Sequence, residues 1–167
     1  MKRIVQVLGL VGIVFGLVGC DHVTKNHAER SLSRGGAEPV VGEVLQLRYA
    51  QNRGFAFNAE RLLPGVPPNT TVVVIRLVML VGLMGMWWLY RREGWLVHAA
   101  FALTLSGALG NLVDGIGRGY VVDFLHLRGW PVFNLADVYI VVGAVLLMVA
   151  VYRAGRAGDA RDDPEPA

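Results

Sequence analysis

The chain has 167 residues, of which 54% are hydrophobic and only 17% charged, and its mean hydropathy is +0.46, too apolar and too charge-poor for an ordinary soluble domain. One domain over residues 1–167 is expected at this length, and a lone cysteine, Cys20, excludes a disulfide scaffold. The net charge of +3 comes from Lys and Arg residues scattered singly or in pairs, not from the basic stripe of a nucleic-acid binder.

Roughly 20 apolar residues, rising about 1.5 Å each, cross a hydrocarbon core of about 30 Å. Four runs meet that condition. The first extends from Ile4 to Cys20. A long polar segment follows, within which Val44, Gln46 and Arg48 alternate with Leu45, Leu47 and Tyr49, the period of a half-buried strand. Asn52, Arg53 and Gly54 supply a turn before another short apolar run, and PGVPPNT, ending at Thr70, breaks the chain before the second span. That span, Thr71 to Tyr90, ends in Trp87, Trp88 and Tyr90, the aromatic signature of a membrane interface. Its one charge, Arg76, reads as a side chain that snorkels to the nearby interface. The third span runs from Trp95 to Val113, with small residues in SGALG that allow close helix packing. The fourth covers Leu135 to Tyr152, and the polar, proline-containing residues 154–167 read as a disordered tail. The expected fold is an all-α membrane protein of four transmembrane helices with a small extracytoplasmic β-element.

Basic residues beside span ends resist translocation. Lys2 and Arg3 precede span one, Arg91 and Arg92 join spans two and three, and Arg153 and Arg156 follow span four. All fall on one side, assigned to the cytoplasm together with both termini. The outer segment from Asp21 to Thr70 also holds six basic residues, but long loops count for less.

A charged residue at the centre of a membrane helix costs about 2.5 to 3.5 kcal/mol on insertion scales, so the position of each polar residue is informative. Asp21, Lys25, Asn111, Asp114, Asp123, Asn134 and Asp137 all converge near the outer surface in this topology. Two acids sit among apolar neighbours, Asp123 in GYVVDFLHL and Asp137 in FNLADVYIVV. Two close carboxylates in a low-dielectric site share a proton and can hold a water as base and acid together, which suits peptide hydrolysis without a metal. The spacing equally makes Asn134 the N-cap and Asp137 the N3 residue of a helix, with Phe133 and Val138 as a staple. The two readings are compatible. The four histidines show no ligand spacing such as HExxH, so neither metal nor cofactor is expected, and His98 reads as a packed side chain.

Five stretches in order, DHVTK (Asp21 to Lys25), QNRGFAF (Gln51 to Phe57), GNLVDG (Gly110 to Gly115), GYVVDF (Gly119 to Phe124) and FNLAD (Phe133 to Asp137), resemble the lipoprotein signal peptidases, or signal peptidase II, four-span aspartyl peptidases of bacterial inner membranes. The resemblance implies that Asp123 and Asp137 activate a water to cut before a diacylglyceryl-modified cysteine. It further implies that Asn52, Asn111 and Asn134 hold the substrate backbone and orient the acids, while Asp21, Lys25 and Asp114 are structural. The implied partners are diacylglyceryl-prolipoproteins and membrane lipid, the implied site lies at the periplasmic face, and a monomer is expected. The family's arginine after the GNxxD aspartate is replaced here by Gly115, with Arg118 three residues later as a possible stand-in in substrate binding or support of the acids. His22 and Val138 also depart from the family pattern.

Two rivals remain. Lys2, Arg3, an apolar stretch and LVGC at Leu17 to Cys20 also read as a lipoprotein signal peptide lipidated at Cys20. A small transporter would instead place polar groups near the midplane of several helices.

Overall fold

The computed structural model describes residues 2–32, 36–54, 65, 67–92 and 94–162. Four helices are long and apolar enough to span a membrane: α1 (Lys2–Ser31), α2 (Pro68–Tyr90), α3 (Trp95–Gly117) and α4 (Leu135–Asp162). Three strands, β1 (Ala37–Val41), β2 (Leu45–Asn52) and β3 (Val121–Leu127), form an antiparallel sheet in the order β1-β2-β3. This is the multi-pass membrane architecture with a small sheet that the apolar runs and the alternation around Leu45 predicted. Large apolar side chains face outward from the bundle, Phe15 at 73% and Val81 at 73% exposure, as a lipid solvent requires and water would penalise.

Two boundaries differ from the sequence expectation. Helix α1 does not end at Cys20 but continues to Ser31. Its 30 residues measure roughly 45 Å, longer than a hydrocarbon core of about 30 Å, and Asp21 and Lys25 are helical residues within it. Helix α4 likewise runs to Asp162, nine residues into the expected disordered tail; Ala and Arg favour helix and no proline intervenes before Pro164. Residues 163–167, and the apolar run from Phe55 to Asn58, lie outside the described residues. The breaker before the second span appears as Pro67 at the N-cap of α2 with a proline at its start.

Helix α3 is the most enclosed of the four. A Cβ on Gly107, within SGALG, would fall on the Ala136 carbonyl oxygen, and one on Gly143 would fall on Thr104 Oγ1. Glycine at both positions lets the α3 and α4 backbones approach where any side chain would wedge them apart. Between α1, α2 and α3 lies an apolar cavity of about 480 Å³ lined by side chains such as Val7, Leu10, Val14, Trp87 and Phe101.

The sheet is seated on one end of the bundle by Ala28 of α1, Leu32 just beyond it, Phe124 of β3, and Leu47 and Tyr49 of β2. Strands β2 and β3 pair with Ala50 opposite Asp123 and Asn52 opposite Val121. After β3 the chain turns at Gly129, whose φ of +82° favours glycine. It then doubles back, Phe133 exchanging backbone hydrogen bonds with Leu125 at 2.9 and 2.8 Å. That return delivers Asn134 and the start of α4 beside Asp123.

Candidate active site

Asp123 lies on β3, where Val121, Val122, Asp123 and Phe124 are all buried. A continuous apolar run buried on both faces carries no alternation, so the sequence pattern does not mark this strand. Asp123 is only 3% exposed. Its Oδ1 accepts from Asn134 Nδ2 at 2.6 Å and its Oδ2 from Asn52 Nδ2 at 3.1 Å. Burial first, and then the nearby charge of Asp137, push its carboxyl up to about 6, against the hydrogen bonds from Asn134 and Asn52 and the charge of Lys25.

Asp137 stands in the first turn of α4. Asn134 Oδ1 accepts from the Asp137 N–H at 3.0 Å, and Asp137 Oδ2 accepts from the Asn134 N–H at 3.1 Å. This reciprocal pair is a capping box built with an aspartate. The other oxygen, Oδ1, accepts from Asn111 Nδ2 at 2.8 Å. Asn134 therefore touches both acids, the first with its side-chain amide and the second with its backbone N–H. Asn134 Nδ2 also donates to Asn111 Oδ1 at 3.2 Å, closing a ring of polar contacts around the pair.

Behind this ring lies a buried ionic cluster. Lys25, fully buried, places Nζ 2.7 Å from Asp21 Oδ2, 3.1 Å from Asp114 Oδ2 and 2.9 Å from Asn111 Oδ1. Asp21 and Asp114 are fully buried too. The pair at the end of α1 is thus not a surface ion pair of little consequence but the centre of a cluster joining α1 and α3. Asp21 Oδ1 also accepts from the Ala136 N–H at 2.9 Å, satisfying a free donor at the α4 N-terminus. A Cβ at Gly110 would lie 2.6 Å from Asp21 Oδ2, so glycine there gives Asp21 access to α4.

Arg118 does not stand in at the acids. It donates to Asn26 Oδ1, and its guanidinium lies 3.3 Å from Glu29 and 3.6 Å from Asp114. It is a strut from the end of α3 to the outer turns of α1, pulled there by the carboxylate that α1 presents. Glu29 also accepts from Tyr49 and Tyr120 at 3.2 and 2.8 Å. The space beside Gly115 is taken by a different arginine. Arg76 of α2 reaches it and donates from Nη1 to the Asn111 carbonyl oxygen at 3.0 Å. It does not snorkel to the interface. Among the described residues no group of three or more His, Cys, Asp and Glu side chains is arranged to hold a metal.

Two acids of unequal burial, linked by one asparagine at the end of a membrane bundle, define a class: a multi-pass membrane hydrolase whose polar centre sits at the sheet end of the bundle. The chain matches the Signal peptidase (SPase) II family over residues 13–153 and belongs to that family of peptidases. It is 34% identical over 147 residues to the lipoprotein signal peptidase of Halothermothrix orenii, covering 88% of this chain and 97% of that protein. To that of Syntrophotalea carbinolica it is 37% identical over 150 residues, covering 83% and 88%. A solved structure described as a bacterial membrane enzyme determined by the in meso method at 1.9 Å resolution superposes with a TM-score of 0.74 at 26% identity, over 86% of this chain and 92% of that one. A second, described in the same terms at 2.3 Å resolution, shares the fold with a TM-score of 0.76 at 23% identity, over 95% and 94%.

Family membership overturns the reading of the chain as a lipoprotein substrate. Cys20 lies within the unbroken helix α1, adjacent to the buried Asp21, so scission before it would cut through the bundle. The transporter reading fails on placement, since the buried acids and Lys25 gather at the sheet end rather than at the midplane of the spans.

Proposed function

We propose that this chain removes signal peptides from lipoprotein precursors, cutting before a diacylglyceryl-modified cysteine, with Asp123 and Asp137 as the catalytic pair. The observation that carries this reading is Asn134, which donates to both acids at 2.6 and 3.1 Å and so fixes them as one unit. Asp137, aimed by its contacts with the Asn134 N–H and Asn111, takes a proton from the attacking water. Asp123, with its carboxyl raised to about 6, carries the proton that the substrate carbonyl oxygen receives as the tetrahedral intermediate forms. The proton on Asp137 then passes to the amide nitrogen as the C–N bond breaks, and a hydroxyl of the intermediate returns its proton to Asp123 as the new carboxyl group forms. Asn52 and Asn111 orient the acids and the substrate backbone. Asn52 is exposed and Asp137 half-buried, which leaves that side of the pair open to substrate.

The protein sits in the bacterial inner membrane as a monomer, both termini cytoplasmic and the acids at the periplasmic face. There they meet a cleavage site held at the lipid boundary by its diacylglyceryl anchor. The apolar cavity between α1, α2 and α3 suits lateral entry from lipid. The test is cleavage of a diacylglyceryl-modified prolipoprotein in membranes holding the wild-type chain, Asp123→Asn or Asp137→Asn. Turnover is expected to vanish in both variants while the fold persists, and a folded variant at wild-type turnover sinks the assignment.

A further inference from the structure

An arginine inside a membrane helix is costly and needs a purpose. Arg76 is the sole charged residue of α2, and its place is made by a glycine on another helix. A Cβ at Gly115 would fall on Arg76 Nη1 and lie 3.6 Å from Cζ. From that seat Nη1 donates to the Asn111 carbonyl oxygen at 3.0 Å, and the Asn111 amide in turn donates to Asp137 at 2.8 Å. One residue therefore separates the guanidinium from a catalytic acid. The acids near enough to feel its charge are Asp137, Asp114 and Asp123. Among the described residues its hydrogen bond is that of Nη1, and Arg76 also borders a small cleft lined by Asn52, Arg53, Gly115 and Tyr120.

We propose that Arg76, admitted by Gly115, is the positioning cation of the acid pair: it anchors Asn111, and through it Asp137, and places positive charge beside both carboxylates. The arginine expected at position 115 is thus supplied from a second helix, and Arg118 is free to brace α1. This inference rests on the peptidase reading and adds a residue that the motifs do not contain. A purely structural tie between α2 and α3 would need the hydrogen bond but not the charge. Among the described residues, the charged groups facing the pair are Arg76 from α2, Lys25 from α1, Asp114 from α3 and the two acids themselves. Removing one cation makes the carboxylates harder to ionise, so the pH at which the pair loses its working proton moves up.

The experiment measures kcat and KM for a diacylglyceryl-modified prolipoprotein across pH, using the full chain reconstituted in lipid, for wild type, Arg76→Met, Arg76→Lys and the double variant Arg76→Met with Gly115→Arg. Arg76→Met should lower kcat by roughly tenfold to a hundredfold with little change in KM, and shift the alkaline limb of the profile to higher pH. Arg76→Lys and the double variant should return the limb toward wild type. If Arg76→Met does not survive extraction, Arg76→Gln set against Arg76→Lys reads the same contrast. An alkaline limb that stays in place when the charge is removed overturns the proposal, whatever the loss in rate. A wild-type chain that cleaves nothing overturns the peptidase reading instead.

Discussion

Replacing Lys25 by methionine would leave Asp21 and Asp114, both fully buried, with no cation among the described residues within ion-pair distance except Arg118 at 3.6 Å and the half-exposed His22 at 3.8 Å, both on Asp114. Lys25 now holds the two carboxylates at 2.7 and 3.1 Å and Asn111 at 2.9 Å. Methionine matches the length of the lysine stem but offers no donor, so the loss is electrostatic and not a cavity. Breaking a buried pair on one side costs about 3 to 5 kcal/mol. For a chain of this size each kcal/mol lowers the melting temperature by about 2 to 4 °C, so the expected drop is roughly 6 to 20 °C. Thermal unfolding of the purified protein, followed by intrinsic tryptophan fluorescence, measures it. Adding Asp114→Asn to Lys25→Met removes one stranded charge and should recover part of the loss, whereas the two changes would add if they were independent. A Lys25→Met protein that melts within about 2 °C of wild type would refute the view that this cluster joins α1 to α3.

Three further outcomes are expected. Asn134→Ala removes the α4 N-cap, worth about 1 kcal/mol, together with the amide shared by the acids; the melting temperature should fall by a few degrees, about 2 to 4 °C, while kcat falls far more, and a rate loss no larger than that of a neutral surface variant would count against the shared-amide geometry. Because the Asp123 carboxyl is raised to about 6, kcat/KM should decline as pH rises through about 6 and the proton is lost. The folded state also binds more protons than the unfolded one between the ordinary aspartate value of 3.8 and about 6, so this residue's contribution to stability declines across that window, and Asp123→Asn should flatten the decline in melting temperature. Gly107→Val would drive a side chain into the Ala136 carbonyl and separate α3 from α4, moving the α4 N-terminus away from Asn111. Loss of both stability and cleavage is expected, and a variant with wild-type values in both assays would show that the close approach is dispensable.

The parts of this protein legible in its sequence are those set by solvent. Four apolar runs had to become membrane helices because backbone groups in lipid must be satisfied within the segment, and they did. The capping box was legible as well, since Asn134 and Asp137 carry it within four consecutive positions. Boundaries were harder. Cys20 looked like an end because Asp21 and Lys25 follow it, but both charges are neutralised within the helix and by α3, so α1 had no reason to stop. Strand β3 was hidden because Val121, Val122 and Phe124 are buried regardless of side, which erases the period that marks a surface strand. The position of Arg76 was hidden more deeply. A single arginine near a span end has a simple interfacial explanation, and only the open space at Gly115, 39 positions later in the chain, makes the inward path available.

The acid pair is assembled from groups that the fold needs for other reasons, and this explains how so small a chain holds two carboxylates at the edge of a membrane. The α4 N-terminus has donors to satisfy; Asp21, Asn134 and Asp137 satisfy three of the positions involved. Asp137 is thereby fixed by its own helix before any substrate arrives. Asp123 is fixed by strand pairing, opposite Ala50, and has no helix terminus to favour its charge. The same packing that positions the acids therefore makes them unequal, one tied into a helix cap and the other raised by burial. A hydrolytic pair needs that inequality, a base and an acid at one pH. The prediction peculiar to this construction is that loosening α4 at its cap misaims the base: in Asn134→Ala kcat should fall with little change in KM, because Asp137 loses the reciprocal contact that orients its carboxylate, and a KM that rises as much as kcat falls would refute it.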